Sequence, residues 1–390
     1  MANRPPALDP LVFSIRDLEH YGSENLSDGF REYYNGGAMD MITLRENVTA
    51  YDRYKIRPRI LRNVSNVDTS AKIFDKKIAF PCGFSPSAMH CLAHRDGELA
   101  TSRAAAKAGI PMALSSYATT SLEDVIMQGT GNPYMMQMCI VKDRNITMQL
   151  LKRAESGSEG EMYSTYTDIL AAAGYRALFL SVDVPVLGRR LGEMRSSFTL
   201  PKGMSFPNLL SEGQDEFGAP DGKNNGPQAF DDALEWEEII PWLKANTKMQ
   251  IWLKGISSPE DVEQAITAGV DGVVISNHGG RQLDGAPASL DSLRQCAPIA
   301  KGHIHIAVDG GIRRGSDIFK AIALGADFCF LGRVAIWGLA YKGQEGVELA
   351  IQILLEEFKS TMALAGCKSV AEITRNHLSV LESNGILAKL

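Results

Sequence analysis

Long apolar segments, paired cysteines and runs of basic residues are all missing from this 390-residue sequence. Because a helix needs about 20 apolar residues to cross a bilayer, no membrane-spanning helix is predicted. No basic-then-apolar signal segment opens the chain either. The formal net charge of −6 excludes the basic surface that nucleic-acid binding requires. With 45% hydrophobic and 22% charged residues, the composition is that of a globular protein, which excludes a disordered or collagen-like chain.

The six cysteines are widely spaced and include no C-x-x-C pair: Cys82, Cys91, Cys139, Cys296, Cys329 and Cys367. This spacing predicts neither a zinc site nor a disulfide framework. Free thiols are typical of a reducing compartment, so an intracellular location is expected. The final residues, Ala388-Lys389-Leu390, are a near variant of the Ser-Lys-Leu peroxisomal signal. We therefore expect a peroxisomal or a cytoplasmic protein.

Short apolar runs alternate with alanine-rich helical stretches from about residue 76 onward. Eight runs are predicted to be strands: residues 78–84, 111–115, 134–140, 177–182, 249–253, 272–276, 304–308 and 328–331. Most are apolar throughout, as in strands that are buried on both faces. Serines before several helical stretches and glycines after them are typical helix caps. The pattern predicts an α/β fold, with a closed (β/α)8 TIM barrel favoured over an open doubly wound sheet.

Three regions are predicted along the chain. Residues 1–75 form a largely irregular N-terminal extension that packs on the barrel and has one helical stretch near 28–34. Residues 76–366 form the barrel, and 367–390 form a C-terminal tail. A loop rich in Gly, Pro and Asn, residues 189–231, follows the fourth predicted strand. Because barrel active sites lie at that end of the strands, we expect this loop to be functional or mobile.

Residues that can do chemistry follow successive predicted strands. His278 and Arg281 follow the sixth strand among glycines, and these side chains suit proton abstraction beside a bound carboxylate. Lys254 follows the fifth strand and Asp183 the fourth. Gly-rich turns with arginines follow the seventh and eighth strands, where barrels commonly bind phosphate. These features suit redox chemistry with a phosphorylated flavin and, equally, aldolase or isomerase chemistry on a sugar phosphate.

Two longer segments resemble the family of FMN-dependent 2-hydroxy acid oxidases and dehydrogenases, which includes glycolate oxidase. The segment Ser276-Asn277-His278-Gly279-Gly280-Arg281-Gln282-Leu283-Asp284 is similar to the signature of that family. Residues 308–317, with Leu331-Gly332-Arg333, are similar to its phosphate segment. Shorter matches, such as Tyr33-Tyr34 and Leu187-Gly188-Arg189-Arg190, extend the resemblance over residues 27–365. The resemblance implies FMN as cofactor and oxidation of a 2-hydroxy acid to a 2-oxo acid. Because neither a haem domain nor a membrane segment is predicted to receive the electrons, O2 is the expected acceptor and H2O2 the expected product.

The resemblance also implies roles for individual residues. His278 is implied as the base that takes the substrate proton, Asp183 as its partner, and Lys254 as a fixed positive charge near the flavin. Arg281 and Arg190 are implied as ligands of the substrate carboxylate. The residues implied in cofactor binding are Pro86, Ser87, Ala88, Ser115, Gln137, Ser181, Lys254, Ser276, Asp309, Gly310, Gly311, Arg313, Gly332 and Arg333.

Three positions on the substrate side depart from the family pattern. Arg31 and Cys139 stand where tyrosines are expected, and Tyr117 stands where glycolate oxidase has tryptophan. A lost phenol removes a hydrogen bond worth about 0.5–3 kcal/mol, so we predict a substrate bulkier than glycolate or lactate, bound near these three residues. An ordinary 2-hydroxy acid oxidase is the alternative, and so is an enzyme of specialised metabolism that acts on a bulky alcohol or amine.

The expected partners are a small-molecule substrate and further copies of the chain. The resemblance implies a homo-oligomer, a tetramer in many relatives, and no metal. A non-catalytic flavin-binding scaffold is disfavoured because His278, Asp183, Lys254, Arg281 and Arg190 are all present.

Overall fold

Eight parallel strands close into a barrel in the computed structural model, which describes residues 7–156, 174–209, 229–382 and 385–389. In chain order the barrel strands are Cys82–Phe84, Met112–Ser115, Tyr134–Met138, Ala177–Ser181, Gln250–Ile256, Gly272–Ile275, His305–Asp309 and Phe328–Leu331. Each strand pairs with the next, and the eighth pairs with the first. The closed barrel is therefore confirmed, and the open doubly wound sheet is excluded.

A helix follows each barrel strand and covers the outside of the barrel. These helices are Gly97–Ala108, Leu122–Ile126, Arg144–Ser156, Trp236–Asn246, Pro259–Ala268, Ser289–Ala300, Gly315–Leu324 and Arg333–Ala365. The fifth shows the predicted caps, because the Ser258 side chain accepts from the Asp261 amide and Gly269 ends the helix in a left-handed conformation. The eighth helix is interrupted at Lys342 and Gly343, whose backbone angles are not helical. Among the described residues, no helix has the length and apolar character that a membrane crossing requires.

The first barrel strand is shorter than the predicted run of residues 78–84. Lys76–Ile78 pairs instead with Ala71–Ile73 in an antiparallel hairpin, and the barrel strand begins only at Cys82. Pro81 separates the two pieces because it has no amide hydrogen to contribute to a continuous ladder. This hairpin covers the end of the barrel where the strands begin, and its Phe74 ring lies 5.7 Å from the Trp252 ring.

The N-terminal region is more ordered than the largely irregular extension that we expected. It forms the helices Ile15–Glu24, Asp28–Asn35 and Ile42–Arg53. The first of these packs along the Arg333–Ala365 helix. The hairpin at 71–78 spans the predicted boundary between residues 75 and 76, so no structural break separates the extension from the barrel.

The C-terminal tail forms a small sheet with the N-terminal region. The strand Leu378–Leu381 pairs antiparallel with Tyr54–Ile56 on one side and with Leu387–Lys389 on the other. The two ends of the chain therefore stabilise each other outside the barrel.

The long loop after the fourth strand is described only in part. Its first section contains a short helix, Leu191–Ser196, and continues to residue 209. Residues 210–228 of this predicted loop lie outside the described residues. The described section brings side chains over the carboxyl ends of the barrel strands.

Candidate active site

A cavity of about 300 Å³ opens at the carboxyl ends of the barrel strands. All eight strand ends contribute to its wall, through Ser85, Ser115, Gln137, Ser181, Lys254, His278, Asp309 and Leu331. They meet there because parallel strands in a closed barrel all end at the same rim. Within the described part of the chain, no cluster of metal-binding side chains occurs.

Most of the predicted site residues lie on this cavity. Those that line it are Pro86, Ser87, Ala88, Ser115, Tyr117, Gln137, Cys139, Ser181, Arg190, Lys254, His278, Arg281, Asp309, Gly310, Gly311, Arg313, Gly332 and Arg333. Asp183 and Ser276 stand behind this lining and contact it through hydrogen bonds to His278 and Lys254. The remaining residue, Arg31, is not part of the site.

His278 and Asp183 form a hydrogen-bonded pair, with 3.2 Å between Nδ1 and Oδ1. Burial lowers the pKa of His278 below its usual value, and this effect outweighs the opposing attraction of Asp183. Burial alone would raise the pKa of Asp183, but the charge and hydrogen bond of His278 lower it overall. The pair is therefore a neutral imidazole beside a carboxylate at neutral pH. A proton on Nδ1, donated to Asp183, leaves Nε2 free to accept another.

Gly255 allows Asp183 to approach the fifth barrel strand closely. It lies at an irregularity in the pairing between Lys254 and Ile256, and its φ of +114° is one that glycine tolerates best. A Cβ atom at this position would lie 2.6 Å from the Cβ of Asp183. Any larger residue would have to displace Asp183, and with it the partner of His278.

Lys254 is held in a buried ion pair at the centre of the site. Its Nζ lies 3.0 Å from Oδ2 of Asp309 and 3.1 Å from Oγ of Ser276. Burial lowers the pKa of Lys254, but the charges of Asp309 and Asp183 outweigh that effect and raise it overall. Lys254 is therefore a fixed positive charge on the cavity wall.

Arg313 and Arg333 also line the cavity, beside the glycine-rich turns that follow the seventh and eighth strands. Arg333 donates to the backbone carbonyl oxygens of Tyr34, Gly36 and Gly279, at 2.6, 2.8 and 3.0 Å. Burial and the neighbouring Arg281 and Arg313 lower the pKa of Arg333 to about 9. Arg333 thus shares a buried site with two other guanidiniums, which repel it.

This arrangement fits the phosphate and the hydroxyl groups of FMN. Arg313 and Arg333, with the positive-φ turn at Gly310 and Gly311, form a cationic pocket suited to a phosphate group. Asp309 adds a buried Oδ1 that has no hydrogen-bond partner among the described residues, and a ligand hydroxyl would supply one. The donor set therefore suits a phosphorylated, hydroxyl-bearing cofactor.

Arg31 lies outside the cavity, contrary to the prediction. Its side chain is 42% exposed and forms an ion pair with Asp28. Tyr33, two residues along the same Asp28–Asn35 helix, lines the cavity instead. Two helical residues are 200° of rotation apart, so Tyr33 and Arg31 face opposite sides. A phenol that we expected to be missing is thus supplied by Tyr33.

Cys139, predicted to bind substrate, lines the cavity. Its Sγ is 3.5 Å from Nε2 of Gln137. Burial and the nearby Asp183 raise the pKa of Cys139 to about 12, so it is a neutral thiol at neutral pH.

Aromatic side chains that the sequence analysis did not predict line the cavity beside Tyr117 and Tyr33. Tyr117 packs edge-on against Phe206 and Phe230, with ring centroids 5.4 and 6.2 Å apart. Phe198 stacks on Tyr33 at 4.6 Å. The three phenylalanines belong to the predicted loop 189–231, where aromatic residues in a polar stretch were an available signal.

Arg190 and Arg281, which were predicted to bind the substrate carboxylate, both contact a glutamate that the sequence analysis did not predict. Glu193, on the Leu191–Ser196 helix, accepts hydrogen bonds through Oε1 from Arg281 at 3.0 Å and from Arg190 at 3.3 Å. The Arg281 guanidinium also stacks over the Tyr33 ring, 4.8 Å from its centroid. Arg190 and Arg281 therefore lie side by side on one wall of the cavity.

Comparisons with known proteins agree with this chemistry. The sequence matches the family model for FMN-dependent dehydrogenases over residues 22–380. It is 52% identical to oxidase FUB9 of Fusarium oxysporum, over 97% of this chain and 94% of that protein. It is 39% identical to the peroxisomal (S)-2-hydroxyacid oxidase GLO4 of Arabidopsis thaliana, over 94% and 96% of the two chains. A structure of mandelate oxidase with benzoyl-formic acid matches with a TM-score of 0.81 at 34% identity, over 97% of this chain and 100% of that one.

These similarities remove the sugar-phosphate alternative that the pattern of residues left open. The family match identifies FMN as the cofactor, which agrees with the donors and cations on the cavity wall. The chain belongs to the FMN-dependent dehydrogenase family and is an FMN-dependent oxidoreductase of the 2-hydroxy acid oxidase type.

Proposed function

We propose that this enzyme oxidises a 2-hydroxy acid larger than glycolate or lactate to the 2-oxo acid, with O2 as the electron acceptor. The observation that carries the proposal is the His278–Asp183 pair, which shares one cavity with Arg190 and Arg281. A base and a carboxylate-binding pair are the two groups that proton removal from a hydroxy acid requires. The described part of the cavity wall offers aromatic and apolar side chains for a larger substituent.

In the proposed mechanism, Arg190 and Arg281 bind the substrate carboxylate and orient the carbinol carbon towards His278. The neutral imidazole takes the proton that the substrate loses, and Asp183 stabilises the imidazolium that results. The proposed cofactor residues would hold FMN, which would supply a two-electron acceptor beside the substrate. Transfer to O2 of the two electrons and two protons that the substrate loses would give H2O2. Lys254 supplies a positive charge beside the reacting groups. Ser115, Ser181 and Gln137, also proposed to bind the cofactor, supply polar side chains there.

A second candidate function is the oxidation of a bulky alcohol or amine that is not a simple hydroxy acid. Cys139 favours it, because the thiol opens space and removes the phenol that we expected to bind a hydroxy acid there. Peroxide detection with a panel of hydroxy acids, alcohols and amines separates the two candidates. Turnover of the amines or alcohols alone would reject the first.

The His278→Asn variant tests the proposed base. Asn keeps a polar, though smaller, side chain that cannot take a proton, so we expect kcat to fall by about 10²–10⁴-fold. Anaerobic reduction of the bound flavin by substrate, followed by absorbance, measures this directly, and the flavin content per chain serves as the control. Unchanged flavin reduction would reject His278 as the base.

The wild-type enzyme should also lose activity on the acidic side of neutrality. His278 must be neutral to act as a base, and burial lowers its pKa below the usual 6.5. The midpoint of the acidic decline in kcat/KM should therefore lie below pH 6.5. A profile of kcat/KM against pH that already falls above pH 7 on its acidic side would contradict this.

The Gly255→Ala variant tests whether the approach of Asp183 matters for catalysis. The added Cβ would displace Asp183 from His278, so we expect kcat to fall at least about tenfold with flavin still bound. Gly131→Ala is the matched control, because Gly131 also has a positive φ but no atom lies within 4 Å of its added Cβ. Equal losses in the two variants would attribute the effect to backbone strain alone.

The Cys139→Tyr variant tests the predicted substrate size. The larger side chain should fill the space beside Gln137 and add a phenol, raising kcat/KM for glycolate relative to a larger 2-hydroxy acid by about tenfold, the effect of about 1.4 kcal/mol. Cys139→Ser is the control, because it changes the thiol without filling the space. Comparable wild-type turnover of glycolate and of larger acids would reject the size hypothesis.

We also propose a peroxisomal location through Ala388-Lys389-Leu390. In the folded chain, Ala388 and Lys389 pair with Val380 and Ser379, and Leu390 lies outside the described residues. The test is a fluorescent protein fused to the N-terminus of a chain that ends at Leu390, compared with one lacking residues 388–390. A cytoplasmic distribution of both would contradict the proposal.

Assembly into a homotetramer stays a prediction from the family, to be checked by the molar mass in solution.

A further inference from the structure

Glu193 occupies hydrogen-bond donors that the substrate carboxylate would use. Its side chain is only 16% exposed, and its Oε1 accepts from one guanidinium nitrogen of Arg190 and one of Arg281. The Glu193 carboxylate therefore bridges Arg190 and Arg281. The proposed function assigns the substrate carboxylate to the same two arginines.

The other donors of these arginines are largely committed to the protein. Arg281 Nη1 donates to the carbonyl oxygens of Tyr33 and Gly36. Arg190 Nε donates to the carbonyl oxygen of Arg281, and its Nη2 lies 3.5 Å from Oε1 of Gln282. Departure of Glu193 would release one N–H group on each arginine. Two such groups are what a single incoming carboxylate needs for a two-point contact.

The charges of the site explain why a carboxylate is held there. Burial and the adjacent Arg281 lower the pKa of Arg190 to about 10. Two neighbouring guanidiniums withdrawn from water repel each other, and Glu193 offsets that repulsion. A substrate carboxylate can take over the same function without leaving either cation unpaired.

The backbone around Glu193 has anchors that do not depend on this ion pair. Phe198, which follows the Leu191–Ser196 helix, stacks on Tyr33 and packs edge-on against Phe30, with ring centroids 6.3 Å apart. The Glu193 side chain can therefore leave the arginines while the segment stays in place.

We propose that Glu193 is an exchangeable counterion of the Arg190–Arg281 pair and sets the selectivity of the site for anionic substrates. It holds the two guanidiniums in position in the free enzyme and yields them to the substrate carboxylate on binding. Its negative charge then lies beside the bound anion and weakens binding. The proposal rests on the proposed function, because it assumes that Arg190 and Arg281 bind the carboxylate.

The Glu193→Gln variant of the FMN-loaded enzyme tests this exchange. Gln keeps the size and an acceptor oxygen but removes the charge, so we expect the Kd of benzoylformate to fall by about tenfold, the order expected for one charge near a partly buried anion. The Kd of the uncharged benzoylformamide should change less than twofold. Both are measured by titration of the flavin absorbance, which does not depend on turnover.

Glu32→Gln is the matched control. Glu32 is an exposed carboxylate that lies against Gly192, next to Glu193. Within the described residues it makes no hydrogen bond or ion pair with Arg190 or Arg281, so its change should leave both Kd values within about twofold. Weaker or unchanged binding of benzoylformate to Glu193→Gln would overturn the proposal. So would tighter binding of both ligands, because a charge effect must discriminate between them.

A structure of the wild-type enzyme with benzoylformate tests the same idea without a variant. Glu193 is expected to have left Arg190 and Arg281, whose freed N–H groups then contact the ligand carboxylate. Glu193 still bonded to both arginines beside the bound ligand would overturn the proposal. Charge-selective tightening in Glu193→Gln, without turnover of any 2-hydroxy acid, would support the exchange while rejecting the proposed function.

Discussion

The buried ion pair between Lys254 and Asp309 is the interaction on which the architecture of the site depends. Their contact, at 3.0 Å, joins the fifth and seventh barrel strands. Ser276 extends the connection to the sixth strand, and Ser85 extends it to the first through a 2.8 Å bond to Asp309. A buried charge pair must be well hydrogen-bonded to offset its desolvation, and these hydroxyl groups meet that requirement. Four strand ends are thereby held in one arrangement around the cavity.

Four arginine side chains line the same cavity and repel one another. Arg190, Arg281, Arg313 and Arg333 all line it, and neighbouring guanidiniums contribute to the low pKa values of Arg190 and Arg333. Such crowding destabilises the protein in the absence of anionic ligands, because like charges in a poorly solvated site repel. A phosphate group and a carboxylate relieve it, so binding and the electrostatics of the fold favour the same ligands.

The N-terminal region is part of the active site as well as of the fold. It supplies the Tyr33 ring beneath Arg281 and the carbonyl oxygens of Tyr34 and Gly36 that hold Arg333. These contacts join residues that are about 250–300 positions apart in the sequence. The extension therefore helps to fix the orientation of both cations, together with Gly279 and Glu193.

The sequence by itself determined the barrel and which side chains meet at one end of it. Continuous apolar runs that alternate with helices predict parallel strands. In a closed barrel the residues at the ends of those strands must converge, and Lys254 and His278 do line one cavity. Tertiary structure alone decided the partners of those residues. The sequence reasoning chose Arg31 although the face of its helix that meets the cavity belongs to Tyr33, and it missed Glu193 because no local pattern shows which carboxylate folds back onto two arginines. Strand and helix periodicity act over a few residues, whereas the contacts of a long loop depend on where the rest of the chain has packed.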